Sequence, residues 1–160
     1  MRQIFRKIAL VLALFLSACS VKNYEHTESK IIIIKSPHIN FADLAYVRHS
    51  GDAVGIELFS AGKMIQKIEI NQRICVVEGC VSKESFNAKY LSPAYPQNIL
   101  QNIILAKPIY KSRNIVRKED GFSQRIVTDR VNIRYEVNQQ KIFFKDKSNK
   151  IIIKIKDMHE

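Results

Sequence analysis

The apolar residues of this chain follow two different periods, and their order lays out its elements. Ile31-Ile32-Ile33-Ile34 is a block of β-branched residues that suits a strand buried on both faces. Ser36-Pro37 ends it, and Phe41 to His49 predicts a second strand. Ala53 to Phe59 alternates, with Val54, Ile56 and Leu58 on one face and Glu57 on the other. Lys63 to Ile70 continues the alternation, with Met64, Ile68 and Ile70 inward and Lys67 and Glu69 outward. The turns Ser50-Gly51-Asp52 and Ala61-Gly62 join these runs as an antiparallel meander.

The period then changes to that of a helix. Ser82 can cap a short helix that runs through Leu91 and buries Phe86 and Tyr90 at i, i+4 spacing. Ser92-Pro93 breaks it. Pro96 suits the first turn of a second helix, on which Ile99, Leu100, Ile103 and Ile104 form one stripe. Gln97, Gln101 and Asn102 are expected to face away, and Lys107-Pro108 stops the helix. Strands return from Phe122 to Val127. Val131, Ile133, Tyr135 and Val137 alternate with Asn132, Arg134 and Glu136. Lys141 to Lys147 turns Ile142 and Phe144 inward, and Ile151, Ile153 and Ile155 alternate with Lys154 and Lys156. Seven or eight strands, mostly antiparallel, thus surround one helical insert. A sheet of that width twists and curls. The expected fold is mainly β with a helical insert (α+β): a curved antiparallel sheet or unclosed barrel, with one or two helices on its concave side.

The first residues follow neither period. Arg2, Arg6 and Lys7 precede an apolar run from Ile8 to Ala18, and Leu16-Ser17-Ala18-Cys19 closes it. Eleven residues are too few to span a bilayer, which takes about 20. A basic head, an apolar middle and small residues at a cut site make a secretory signal. The segment resembles the signal of bacterial lipoproteins, whose lipobox is Leu, two small residues and Cys. That resemblance implies cleavage before Cys19 and lipidation of Cys19. The expected organisation is a signal peptide over 1–18, the lipidated Cys and a flexible tether over 19–30, and one β-rich domain over 31–160. Ser20 follows Cys19 where Asp would retain a lipoprotein in the inner membrane, so the resemblance implies the periplasmic face of the outer membrane.

Export changes the reading of the other cysteines and of the charge. An oxidising compartment favours a structural disulfide between Cys75 and Cys80, which Glu78-Gly79 can bring opposite each other. A metal site needs three or four ligands, and His26, His38, His49 and His159 have no ligand spacing. A redox pair more usually reads C-x-x-C. The net charge is +11, and three of those cations lie in the first seven residues. An envelope location argues against nucleic acid. The basic partner it allows is a phospholipid or lipopolysaccharide surface, beside the plainer reading of solvated strand faces. No nucleophile elbow, phosphate loop or zinc motif appears, so a catalytic role and a cofactor are not expected.

Three stretches resemble the LolA/LolB lipoprotein-carrier superfamily. They are Phe41-Ala42-Asp43-Leu44-Ala45-Tyr46-Val47 with the strand after it, the Pro-started helix Tyr95 to Leu105, and Asn132 to Asp157. The resemblance covers about half of the chain after the signal. It implies an unclosed barrel, lidded by helices, whose apolar concavity binds the acyl chains of lipoproteins. The chain departs from the family in carrying no Trp and in showing no protruding apolar loop, its Ser50-Gly51-Asp52 turn being polar. The expected function is outer-membrane, LolB-like localisation of other lipoproteins, with a periplasmic carrier protein as partner. Candidate walls of the acyl concavity are Val54, Ile56, Leu58, Ile68, Ile99, Ile103, Ile133, Tyr135 and Phe144. Residue by residue, plain core is the favoured reading of each. The alternative function is a non-catalytic envelope scaffold that binds a protein partner.

Overall fold

The computed structural model describes residues 24–158, so the expected signal and Cys19 lie outside the described residues. Strands β1 (His26–Lys35), β2 (Asn40–Ser50), β3 (Ala53–Ser60) and β4 (Lys63–Ile70) come first. The short β5 (Ile74–Val76) and β6 (Gly79–Val81) follow, then helices α1 (Lys83–Tyr90) and α2 (Ile99–Ile104). The chain closes with β7 (Ile115–Lys118), β8 (Gly121–Val127), β9 (Asn132–Asn138), β10 (Lys141–Asp146) and β11 (Ile151–Asp157). All eleven strands form one antiparallel sheet in the order β6-β5-β4-β3-β2-β1-β11-β10-β9-β8-β7. The first strand pairs with the last, from Lys30↔Asp157 to Lys35↔Ile152. That pairing joins two consecutive meanders at the middle of the sheet.

Alternation decides which face is covered. Ile32, Ile34, Val47, Val54, Ile56, Leu58, Ile133, Tyr135, Phe144, Ile153 and Ile155 share the inner face and are buried in one core cluster with both helices. The sheet is curved and does not close into a barrel, and its edges are β6 and β7. Tyr135 packs edge-on to Phe122 at 5.6 Å and to Phe144 at 6.2 Å, which is the favoured geometry for aromatic pairs. Cys75 and Cys80 lie opposite each other on β5 and β6 and are joined by a disulfide.

Four details differ from the sequence reading, each for a physical reason. First, β1 begins at His26, inside the residues 19–30 expected as tether. His26 to Ser29 pair with β2 alone and project beyond β11, so their side chains stay wet and show no apolar period. Second, the Ile block is not buried on both faces. Ile32 and Ile34 are buried, whereas Ile31 and Ile33 lie on the outer face, half-exposed. Third, Met64 does not point inward and is 54% exposed. The β3–β4 register shifts between Leu58 and Phe59, which leaves Ile65 as an extra residue and turns Met64 to the outer face. Fourth, the described residues form eleven strands and not seven or eight. The cysteine hairpin supplies β5 and β6, and the edge strand β7 has too few residues to show a period.

Buried polar groups fix the far end of the sheet. Asp146 is buried and accepts hydrogen bonds from Tyr95 Oη at 2.8 Å, Asn149 Nδ2 at 2.6 Å and the backbone N–H groups of Asn132 and Ser148. Gln124 pins the loop ahead of β7 by bonds to both backbone groups of Ile109 and to the Arg113 carbonyl. Burial raises the pKa of Tyr95 and Tyr135 well above the usual tyrosine range, with the Asp146 hydrogen bond adding to it at Tyr95. Burial pushes Tyr110 up to about 12, again with help from the Asp146 charge.

These three phenols hold their protons in the fold and release them near pH 10 when the chain unfolds. The folded state therefore binds more protons above that pH, and its stability falls as pH rises. Melting temperatures measured from pH 8 upward should drop beyond about pH 10. The phenolate absorbance of these three residues should appear together with unfolding.

Candidate functional site

The concave side of the sheet, against which both helices pack, holds the candidate site. Helix α1 starts at Ser82, whose hydroxyl accepts from Ser85 N at 3.1 Å and caps the helix. It turns Phe86 toward the sheet and packs that ring against Tyr90 at 4.7 Å. Helix α2 presents Ile99, Leu100, Ile103 and Ile104, all buried. Asn87 ties α1 to the loop before α2 by donating to the carbonyls of Pro96 and Gln97. Its Oδ1 is the buried side-chain atom left without a hydrogen-bond partner among the described residues.

Between the helices and strands β1, β3, β4 and β11 lies an entirely apolar gap. Ile32, Ile34, Ile56, Leu58 and Ile68 line it from the strands, Phe86 from α1 with Leu91 just after it, and Leu100 and Ile104 from α2. Its volume is about 20 Å³. A single water needs about 10–15 Å³ and two or more polar partners, so the gap is a dry seam between packed layers. A larger cleft of about 280 Å³ opens beside it, where β1, β2 and β11 meet the end of α2. Val47, Ile142, Ile155, Ile104 and Leu105 form its apolar floor, and Glu28, Lys30, His49 and Lys107 form its rim. Ile104 and Ile155 line both spaces. One apolar surface therefore runs from the open cleft to the closed gap.

The rim charges are engaged in pairs. Lys30 bonds Asp157 and Glu28. Burial opposes its charge, but the two carboxylates outweigh burial and hold its pKa above the usual lysine range. Lys107 bonds Asp52, whose carboxyl it holds below the usual carboxylate range. The Gln101 amide also donates to the Asp52 carbonyl. Two contacts thus latch α2 to the β2–β3 turn. Gln101 also accepts from Lys83 Nζ at 2.6 Å, and Lys83 donates to Asn98 at 2.8 Å. Burial lowers the pKa of Lys83, and the Asp52 and Glu84 charges partly offset this. Gln101 is accordingly buried and does not face away as its helical position suggested. Its partners lie far off in sequence, so the local pattern could not show them.

The nine expected wall residues are all buried, but they do not line one space. Ile56, Leu58 and Ile68 line the gap. Val54, Ile99 and Ile103 sit in the core beside it, and Ile133, Tyr135 and Phe144 pack the other half of the sheet. The Tyr135 hydroxyl donates to the Lys107 carbonyl at 3.1 Å, so that side chain supports the turn after α2. Ile104, Leu105, Ile142 and Ile155 line the open cleft and were not among the expected walls. Ile104 and Ile155 belonged to apolar stripes in the sequence, yet a stripe does not distinguish floor from core. Among the described residues no three His, Cys, Asp or Glu side chains gather as a metal site, and no helix is long and apolar enough to cross a membrane.

No protein-family model matches the chain, and neither a curated protein nor a solved structure matches it.

Replacing Gln101 by Ala removes one of the two acceptors of the Lys83 ammonium, which keeps Asn98, and the side-chain donor to the Asp52 carbonyl. Denaturant unfolding should show a loss of about 1–3 kcal/mol, the net worth of two hydrogen bonds, one of them to a charged group.

Proposed function

We propose that the protein is a lipid-anchored envelope protein that receives an acyl chain between its sheet and its helices. In this reading Cys19 carries the anchor and holds the domain on the periplasmic face of the outer membrane. The cargo is the acyl chain of another lipoprotein, handed over by a periplasmic carrier. The single observation that supports it is the apolar surface that continues from the 280 Å³ cleft through Ile104 and Ile155 into the gap. Small-molecule sites usually fall between about 300 and 1,000 Å³, so the cleft can hold the first part of a chain and the gap cannot hold the rest. Cargo would enter over Ile104 and lift α2 from the sheet. The contacts of Lys107 and Gln101 with Asp52 are what it would have to break.

One observation favours a second reading. The gap is nearly filled at about 20 Å³, as in an ordinary core. A scaffold that binds a protein partner through its sheet edges needs no cavity, and Val116 and Val81 stand exposed on β7 and β6.

Native mass spectra of the gently extracted protein separate the two. Bound mass equal to a phospholipid or an acylated peptide supports the carrier reading, and Ile104→Glu should reduce that binding at least tenfold by placing a charge on the path. A stoichiometric protein partner with no bound lipid would support the scaffold instead. Independently, Cys19→Ala should move the protein from the membrane fraction to the soluble one. Retention in the membrane, unprocessed, would contradict the anchor.

A further inference from the structure

The outer face of the sheet carries a cluster that the acyl-chain reading does not use. Arg134, Glu136, Lys141, Phe143, Lys154 and Lys156 surround a groove of about 320 Å³ on β9, β10 and β11. The Phe143 ring lies at its centre, with the Arg134 guanidinium and the Lys154 ammonium each 5.8 Å from the ring centroid. The sheet register places like charges directly opposite one another. Lys141 faces Lys156, and Arg134 faces both Lys145 and Arg125. Cross-strand pairs of like charge destabilise a sheet, and three such pairs lie on adjoining strands. Glu136 bonds Arg134, and no described carboxylate forms an ion pair with Lys141, Lys145, Lys154 or Lys156. The other half of the outer face is balanced, with Arg48 bonded to Glu57 and Lys67 to Glu69.

Gly55 points outward from β3, and a Cβ there would meet the Tyr24 hydroxyl at 2.8 Å. Tyr24 therefore lies on the outer face at β3. Four strand spacings of about 4.8 Å separate β3 from β10, a span of roughly 20 Å. Cys19 precedes Tyr24 by five residues, a stretch that can span at most about 17 Å.

We propose that this outer face is the surface the protein lays on an anionic bilayer, with the cations around Phe143 receiving lipid phosphates. The like-charged rows gain their missing counter-charges there. The Phe143 ring supplies a modest apolar contact at headgroup depth, and the lysine stems reach along it. Each cation brought to an anionic surface strengthens binding by about fivefold. This proposal does not depend on acyl cargo in the concavity, which faces the other way.

The chain has no Trp, so Phe143→Trp places a single reporter at the centre of the cluster. The whole protein is incorporated into vesicles of phosphatidylcholine, or of phosphatidylcholine mixed with phosphatidylglycerol. In mixed vesicles the Trp emission should shift to the blue and be quenched by brominated lipid. Both effects should vanish at high salt and in a background of Arg134→Glu with Lys154→Glu. A second reporter, Val77→Trp, on the exposed tip of the cysteine hairpin, should stay unquenched. Ile152→Trp, on the same face, replaces Phe143→Trp if that variant fails to fold. Equal response in neutral and mixed vesicles, equal response of the Val77→Trp reporter, or no response in either vesicle overturns the proposal. So does salt-sensitive capture by an acidic protein with vesicles left unbound.

Discussion

One wide apolar face must be kept from water, and among the described residues two short helices cover it. Every strand from β1 to β4 and from β8 to β11 sends alternate side chains to that face. Two helices of eight and six residues cannot shield an eleven-stranded flat sheet. Curvature solves the mismatch, because it brings the two halves of the inner face toward each other and around the helices. The β1–β11 pairing makes this one layer, since it ties the beginning and end of the domain together at the middle of the sheet.

The same constraint sets what the concave side can do. Helices held by a seam of apolar contacts can be lifted at a cost that scales with the area exposed, and an entering acyl chain would restore that contact. The polar latches act differently. Lys83, Gln101, Lys107 and Asp52 form a directional chain from α1 through α2 to the β2–β3 turn. They fix where the helices sit against the sheet. At the opposite end, Asp146 and Gln124 are buried and saturated with hydrogen bonds. That half of the domain reads as the rigid support, and the α2 end as the part that can yield.

Alternation made most of the sheet legible. Val131 to Val137 and Ile151 to Ile155 show strict period two, and both are strands with the expected face buried. The unclosed sheet with its helices inside was legible for the same reason. What escaped the sequence depended on distant partners. Met64 was turned outward by a bulge that only its pairing with β3 reveals. Gln101, Gln124 and Asp146 are polar residues at inward positions, acceptable there because residues more than ten positions away complete their hydrogen bonds. The candidate site was partly legible. Ile56, Leu58 and Ile68 were named and line the gap, whereas Ile104 and Ile155, which connect it to the cleft, look like any other residue of their stripes.

The central claim is that α2 is a lid over an apolar seam, and the distance across that seam tests it most directly. Spin labels at Gln97→Cys, just ahead of α2, and Lys63→Cys, at the start of β4, report it by pulsed dipolar spectroscopy. Both positions are exposed. On addition of an acylated lipoprotein peptide the account predicts a longer distance, with no change for the same peptide without its acyl chains. A distance that stays the same while the acylated peptide is bound would contradict it, and would leave Ile104 and its neighbours as core.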